Sequence, residues 1–299
     1  MNPTHVESLR NRSVALSEEA ELLLDNGDLD RAEELYTEAL SIDKELAEAT
    51  GSPRDRRNLS ITLQQLSELE QAREELDKAE ELSHAALEIC RELAGEDDSL
   101  PLRQDLAMAY IGLSTVLLRK GMLTASENNA AHALALTERI HREENTPETQ
   151  RDLTIGLNRM GELRLMQGDV NAAAFYFSRC LPLREALAES GSPIARRDLS
   201  VALIKMADIR HALGDGEGMR GYLLRALELR LALDAERGTA DSRSDVGVVY
   251  MKLGYGSEPY DGEYLQKALD LYTELAERCP DIPAYAEYRD QLELTLFLL

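Results

Sequence analysis

Small residues recur along this chain at a nearly fixed interval, and that recurrence limits the fold more than any other feature. Ala20, Ser67, Ser114, Gly161, Ala207 and Gly254 are separated by 47, 47, 47, 46 and 47 residues. A second series, Ala39, Ala86, Ala133, Cys180, Ala226 and Ala268, steps by 47, 47, 47, 46 and 42. Two ladders sharing one period signal a stack of like units, none of which can bury its apolar face without a neighbour.

Each unit reads as two antiparallel helices, A and B. Apolar residues three and four apart, as in Leu157, Met160, Gly161 and in Leu203, Met206, Ala207, mark one face of helix A. Helix A starts at a capping residue followed by proline, in Ser52-Pro53, Thr146-Pro147 and Ser192-Pro193. Proline suits a first helical position because its missing N–H would have no partner there. The turn into helix B carries Gly27, Gly121, Gly168 and Gly214, residues that accept the left-handed geometry ending a helix; the second unit has Glu74 at this place. In Gly214-Asp215-Gly216-Glu217-Gly218 the extra glycines are expected to loosen the start of helix B. The small residues of the ladders lie where paired helices cross closely, so Gly161→Leu is expected to cost at least the roughly 1–3 kcal/mol typical of overpacking.

With 43% hydrophobic and 30% charged residues, a packed core is affordable. The net charge of −23 is uneven, at −16 for residues 1–100, −1 for 101–250 and −6 for 251–299. Acidic ends repel phosphate backbones, so nucleic acid is not an expected partner, whereas a basic one is compatible. No stretch reaches the length of a membrane span. Cys90, Cys180 and Cys279 have no neighbour at metal-ligand spacing and read as small buried apolar residues in a reducing compartment. The opening Met1-Asn2-Pro3-Thr4-His5 lacks a charged-then-apolar leader, which makes the cytoplasm the expected location.

Catalytic patterns do not emerge. Close carboxylate pairs such as Glu18-Glu19 and Asp97-Asp98 are expected by chance among 56 acids. His132 and His141 are nine residues apart, off the spacing of a helical zinc pair, and His5, His84 and His211 fall elsewhere. The glycines of 214–218 follow no strand and precede no lysine, so they are no phosphate loop. An enzyme, a cofactor and a bound metal are therefore not expected. Arg56-Arg57, Arg103, Arg151-Asp152, Arg196-Arg197-Asp198 and Arg243-Asp245 recur with the period and read as a ladder of salt bridges between units.

The last unit departs from the pattern, since Gly254 and Ala268 are five residues closer than their counterparts. Seven of the eleven tyrosines fall here, at Tyr250, Tyr255, Tyr260, Tyr264, Tyr272, Tyr285 and Tyr288. Tyrosine supplies contact area with a polar tip, which fits either a half-buried cap or an interface; Tyr255, Tyr260, Tyr264 and Phe297 are the residues that would form the latter. The apolar ending 294–299 needs a cover, either by folding back or from another chain, so homo-oligomerisation stays open.

Ala32-x3-Tyr36-x2-Ala39 and Ala173-x3-Phe177-x2-Cys180, with Met160-Gly161 and Leu253-Gly254 in helix A, resemble the tetratricopeptide repeat signature. The usual unit of that family is about 34 residues, and this chain is similar to its long-unit, bacterial type. The resemblance implies an all-α, right-handed superhelix of six helix pairs, 4–48, 52–95, 99–143, 146–189, 192–237 and 239–279, with a closing helix at 282–298. It also implies that 1–299 is one solenoid domain and that the inner face is lined by helix A. Carried over by register, the inner positions are Met108, Ile111, Thr115 and Leu118, then Ile155, Asn158, Glu162 and Leu165, then Val201, Ile204, Asp208 and His211. Asn158 would meet a peptide backbone, and Glu162 and Asp208 a basic group. Family members that clamp a C-terminal carboxylate use several basic and amide residues here; Asn158 matches, and Arg159 and Lys205 are one position off. The implied function is a protein- or peptide-binding scaffold or adaptor, with a basic or apolar partner. A peptide-responsive receptor and a structural subunit joined through its C-terminus are the alternatives.

Overall fold

Helix follows helix with no strand among the described residues, which are 2–25 and 27–299 of a computed structural model. The helices are α1 (Pro3–Asp25), α2 (Leu29–Thr50), α3 (Pro53–Ala72), α4 (Leu76–Glu96), α5 (Leu100–Arg119), α6 (Leu123–Glu143), α7 (Pro147–Met166), α8 (Val170–Ala188), α9 (Pro193–Ala212), α10 (Gly216–Arg237), α11 (Ala240–Tyr255), α12 (Gly262–Arg278) and α13 (Pro283–Leu298). Odd-numbered helices up to α11 are the A helices, and α13 closes the series. By contact the chain separates into two compact units, Met1–Leu163 and Arg164–Leu299, a division that nothing in the 47-residue period marks. None of the helices among the described residues is long and apolar enough to cross a membrane.

Local chemistry sets the helix ends. Ser52 caps α3 by accepting from the Asp55 N–H, with Pro53 in the first turn. Thr146 accepts from the Thr149 N–H at 3.2 Å ahead of Pro147. Ser192 makes no side-chain cap bond, so Pro193 alone marks that start. Asp28, Asp169, Asp215 and Asp261 cap the B helices α2, α8, α10 and α12. The glycine-rich stretch at the start of α10 has a packing role as well. Gly218 donates its N–H to Asp215 at 2.8 Å, and a Cβ there would lie 2.3 Å from that carboxylate. Glycine lets this cap close. In the second pair the turn is made by Glu74, whose φ of 63° is left-handed, a conformation an ordinary side chain adopts at a cost.

Within the first unit, α1 to α6 pack in sequence, and α3 also touches α1 and α5. The crossing ladder is stitched by hydroxyls. Ser67 donates to the Ala79 carbonyl at 2.9 Å and faces Ser83 at 2.7 Å; Ser126 donates to the Ser114 carbonyl at 2.7 Å. The partners Ser83 and Ser126 escaped the sequence reading. All six residues of the second ladder are buried. Cys90 and Cys180 are buried with them, and burial pushes the Cys90 thiol up to about 11, whereas Cys279 is half-buried.

Ion pairs and one amide–carboxylate hydrogen bond bind successive A helices. Arg57 holds Asp105 at 3.0 Å, Gln104 holds Asp152 at 2.7 Å, and Arg197 reaches Asp245 at 3.2 Å, each 48 residues along. A second set staples the start of helix A to the end of its own helix B, through Arg56–Glu96, Arg103–Glu143 and Arg196–Glu236. At the junction of α2 and α3 the shielded Asp55 takes Arg10 through both oxygens at 2.7 and 2.8 Å, plus Thr50 at 2.5 Å and Ser52 at 2.7 Å. These donors hold its carboxyl well below the usual range, Arg10 being the largest cause.

In the second unit, α8 to α13 pack each against the next. The last pair keeps the crossing by a tighter device: a Cβ on Gly254 would lie 2.4 Å from Leu265, and one on Gly247 2.8 Å from the Tyr272 ring. Tyr272 is fully buried, packs on Tyr285 and Tyr288, and donates to the Ser244 carbonyl at 3.3 Å. Most of the tyrosine cluster thus serves as core and cap.

Candidate functional site

Helical periodicity brings side chains from α3, α5 and α7 of the first unit around a groove of about 550 Å³. Its floor is apolar and small, made by Ala109, Gly112 and Ile111, which is 8% exposed. Its walls are polar. Arg159 donates to Thr115 at 2.7 Å and to Glu162 at 3.1 Å. Thr115 can accept because its own hydrogen goes to the Ile111 carbonyl at 2.9 Å. Arg119 spans from α5 to the end of α3, donating to the Gln71 carbonyl and to Glu74, both at 2.6 Å. Glu68 faces the same groove, and although it is exposed, desolvation by the surrounding walls, reinforced by nearby Glu21, raises its carboxyl above the ordinary range. The result is a groove with a greasy base, one poorly compensated acid and two anchored arginines.

Of the residues singled out by register, Ile111, Thr115 and Arg159 line this groove, as do Met108 and Ile155. Leu118 is half-buried and outside the lining, its place being taken by Arg119. Glu162 is engaged by Arg159, and Asn158 sits with a buried Oδ1 that has no hydrogen-bond partner. Of the rest, Leu165 near the end of α7 and Val201 are exposed, and Val201, Ile204, Asp208 and His211 lie on α9 of the second unit. Ile204 packs against the core on both sides of its helix, Asp208 pairs with Lys252 at 2.6 Å, and His211 is exposed. Gln64, Glu68, Gln71 and Arg119 were missed. Glu68 could have been found, since it is the Thr115 and Glu162 position one period earlier.

At the C-terminus, Tyr255 and Tyr264 are half-buried. Tyr255 meets Tyr260 edge-on at 5.5 Å and shares a hydrogen bond with Thr295 at 3.1 Å, and Tyr264 packs on Tyr250 at 6.0 Å. Tyr260 is exposed, and Phe297 is 86% exposed beside the open Leu294, Leu298 and Leu299. No group of three His, Cys, Asp or Glu residues among the described residues is placed to hold a metal.

No family model matches the sequence, and no curated protein does either. Solved structures do. The nuclear import adaptor Nro1 of S. pombe superposes with a TM-score of 0.56 at 14% identity, over 96% of this chain and 99% of that one. A Rap protein complexed with Competence and Sporulation Factor gives 0.59 at 13% identity, covering 96% and 74%. Kinesin light chain repeats of Podospora anserina, described as TPR-like, give 0.54 at 15% identity, covering 78% and 97%. At these identities the likeness is one of fold. With thirteen helices among the described residues, six consecutive pairs and a closing helix, the chain has a tetratricopeptide-like helical repeat fold.

Proposed function

We propose that this chain is a non-catalytic binding protein, a scaffold or adaptor whose guest is a protein or peptide segment laid along the helix-A faces. The groove between α3, α5 and α7 carries this reading: it is large enough for several side chains and offers an apolar floor flanked by fixed charges of both signs. An import adaptor and a protein bound to a competence and sporulation factor share the fold, which supports the same reading. The strongly acidic first hundred residues favour a basic guest.

Gly112 provides the test. A Cβ there meets nothing within 4 Å, so Gly112→Trp would fill the groove without disturbing the helix. Partners captured by the wild-type chain should lose at least tenfold in affinity for this variant, and so should those tested with Asn158→Ala/Glu162→Lys if the guest extends along α7. Unchanged affinity with Gly112→Trp would remove the groove from consideration. A guest-induced change in small-angle scattering would make the chain a receptor that responds to its peptide rather than a rigid adaptor.

A second reading rests on the exposed Leu294, Phe297, Leu298 and Leu299, an apolar stripe that a second copy could cover. Light scattering of a chain ending near residue 280 decides it, because an unchanged mass excludes self-association through α13.

A further inference from the structure

A second pocket, of about 230 Å³, opens between α1, α2 and α3, lined by Ser13, Val14, Ser17, Glu18, Asp43, Asn58, Ile61, Thr62 and Gln65. Asp43 forms its base and is 1% exposed. Thr62 donates to its Oδ2 at 2.7 Å, while Oδ1 is buried with no hydrogen-bond partner. The Gln65 Oε1 that borders the same pocket is likewise buried and unpartnered. Two orphaned acceptors facing one cavity call for a donor, since leaving them bare costs free energy.

The repeat itself shows what kind of donor. One period apart, the Asp43 position is held by Cys90, Thr137, Arg184 and Arg230, and the Asn58 position by Asp105, Asp152, Asp198 and Asp245. In the second unit these positions form ion pairs whose arginine is buried, Arg184 with Asp198 and Arg230 with Asp245. In the first helix pair the helix-B position carries the acid and the next helix-A position a neutral amide, so the register that holds a guanidinium in α8 and α10 has a carboxylate and no cation. No ion pair to Asp43 is formed among the described residues.

We propose that this pocket binds a primary ammonium group on an aliphatic stem, with Asp43 as its counter-ion. A guanidinium needs a planar fork of acceptors, whereas Asp43 has one open oxygen, and the other acceptors, Gln65, Ser13, Ser17 and Glu18, are spread around it. That spread suits three rotatable N–H bonds on a compact charge. Val14 and Ile61, both exposed at the mouth, would cover the methylenes. The volume falls below the roughly 300–1,000 Å³ of drug-sized sites and matches a single side chain. The site lies apart from the α3–α5–α7 groove and stands whether or not that groove binds a peptide.

Calorimetry on the full chain at physiological salt, where loose attraction to the acidic surface is screened, tests the assignment. The probes are Nα-acetyl-lysine N-methylamide, its norleucine and arginine counterparts, and n-butylamine. The lysine compound should bind saturably at one site, the norleucine compound at least tenfold more weakly, and the arginine compound more weakly than lysine. Tighter binding of lysine than of butylamine assigns a partner's side chain, and the reverse assigns a free aliphatic amine. Asp43→Asn should weaken binding at least tenfold, and Val14→Trp, a surface change that plugs the mouth of a folded chain, should abolish it. Absence of saturable amine binding would mean that the orphaned acceptors hold only water, and would overturn the proposal. Equal or tighter binding of the arginine compound, or binding indifferent to Val14→Trp, would overturn it as well.

Discussion

Asp55 at the α2–α3 junction and Asp43 between α1, α2 and α3 are both shielded from solvent, yet their surroundings push them in opposite directions. Asp55 has a cation and two hydroxyls, and its charge is welcome. Asp43 has one hydrogen bond, from the Thr62 hydroxyl, with Ser13 nearby and no cation, so burial raises its carboxyl above the ordinary value of 3.8. A saturated buried acid is part of the frame. An under-supplied one is a place where something else can be held, and counting partners separates the two where burial alone does not.

Replacing the saturated acid should have the largest effect. Asp55→Ala leaves the Arg10 fork, Thr50 and Ser52 without their common acceptor and should destabilise the chain by about 2 kcal/mol, measured by urea unfolding. A value near zero would break the contrast.

The pH dependence should come next. Because the Asp55 carboxyl is lowered in the folded state, its stabilisation is present above the ordinary value of 3.8 and is lost as pH falls through that value towards the depressed one. Asp43 is raised, so its contribution has the opposite sign: it costs nothing below 3.8 and costs stability as pH rises through its elevated value. In thermal melts against pH, Asp55→Asn should flatten the acid limb and Asp43→Asn should steepen it. The same slope in both variants would erase the distinction.

Asp43→Asn at neutral pH should have the smallest effect, a gain of no more than about 1 kcal/mol, because it removes a buried charge that has no cation beside it. A large loss would mean that Asp43 is a structural acid after all.

Much of this architecture was legible because a repeat reports itself many times over. The two small-residue ladders, the proline-led starts of α3, α7, α9 and α13, and the recurring Arg/Asp positions each appear in several copies, and the structure has the matching helices and the Arg57–Asp105 type of pair. What escaped was singular. Glu74 takes a left-handed turn that its residue type does not advertise. Arg119 replaces Leu118 in the groove because helical register alone leaves an error of one position at a helix end. Asp43 looks like any of many surface acids until its neighbours from α1 and α3, distant in sequence, are seen around it. Periodicity identifies what units share, and sites are made where one unit differs.

The staples from the start of each A helix to the end of its B helix carry one more lesson. In three pairs they join residues 40 apart, whereas Arg243 reaches Glu274 at 2.8 Å across only 31. About a turn has gone from each of α11 and α12, and the bond closes on an acid one turn before the end of α12. The hairpin tolerates trimming at its bend provided both feet stay anchored. Residues 257–260, beyond the last turn of α11 and ahead of the Asp261 cap, are therefore the natural place to splice in a tag or a reporter.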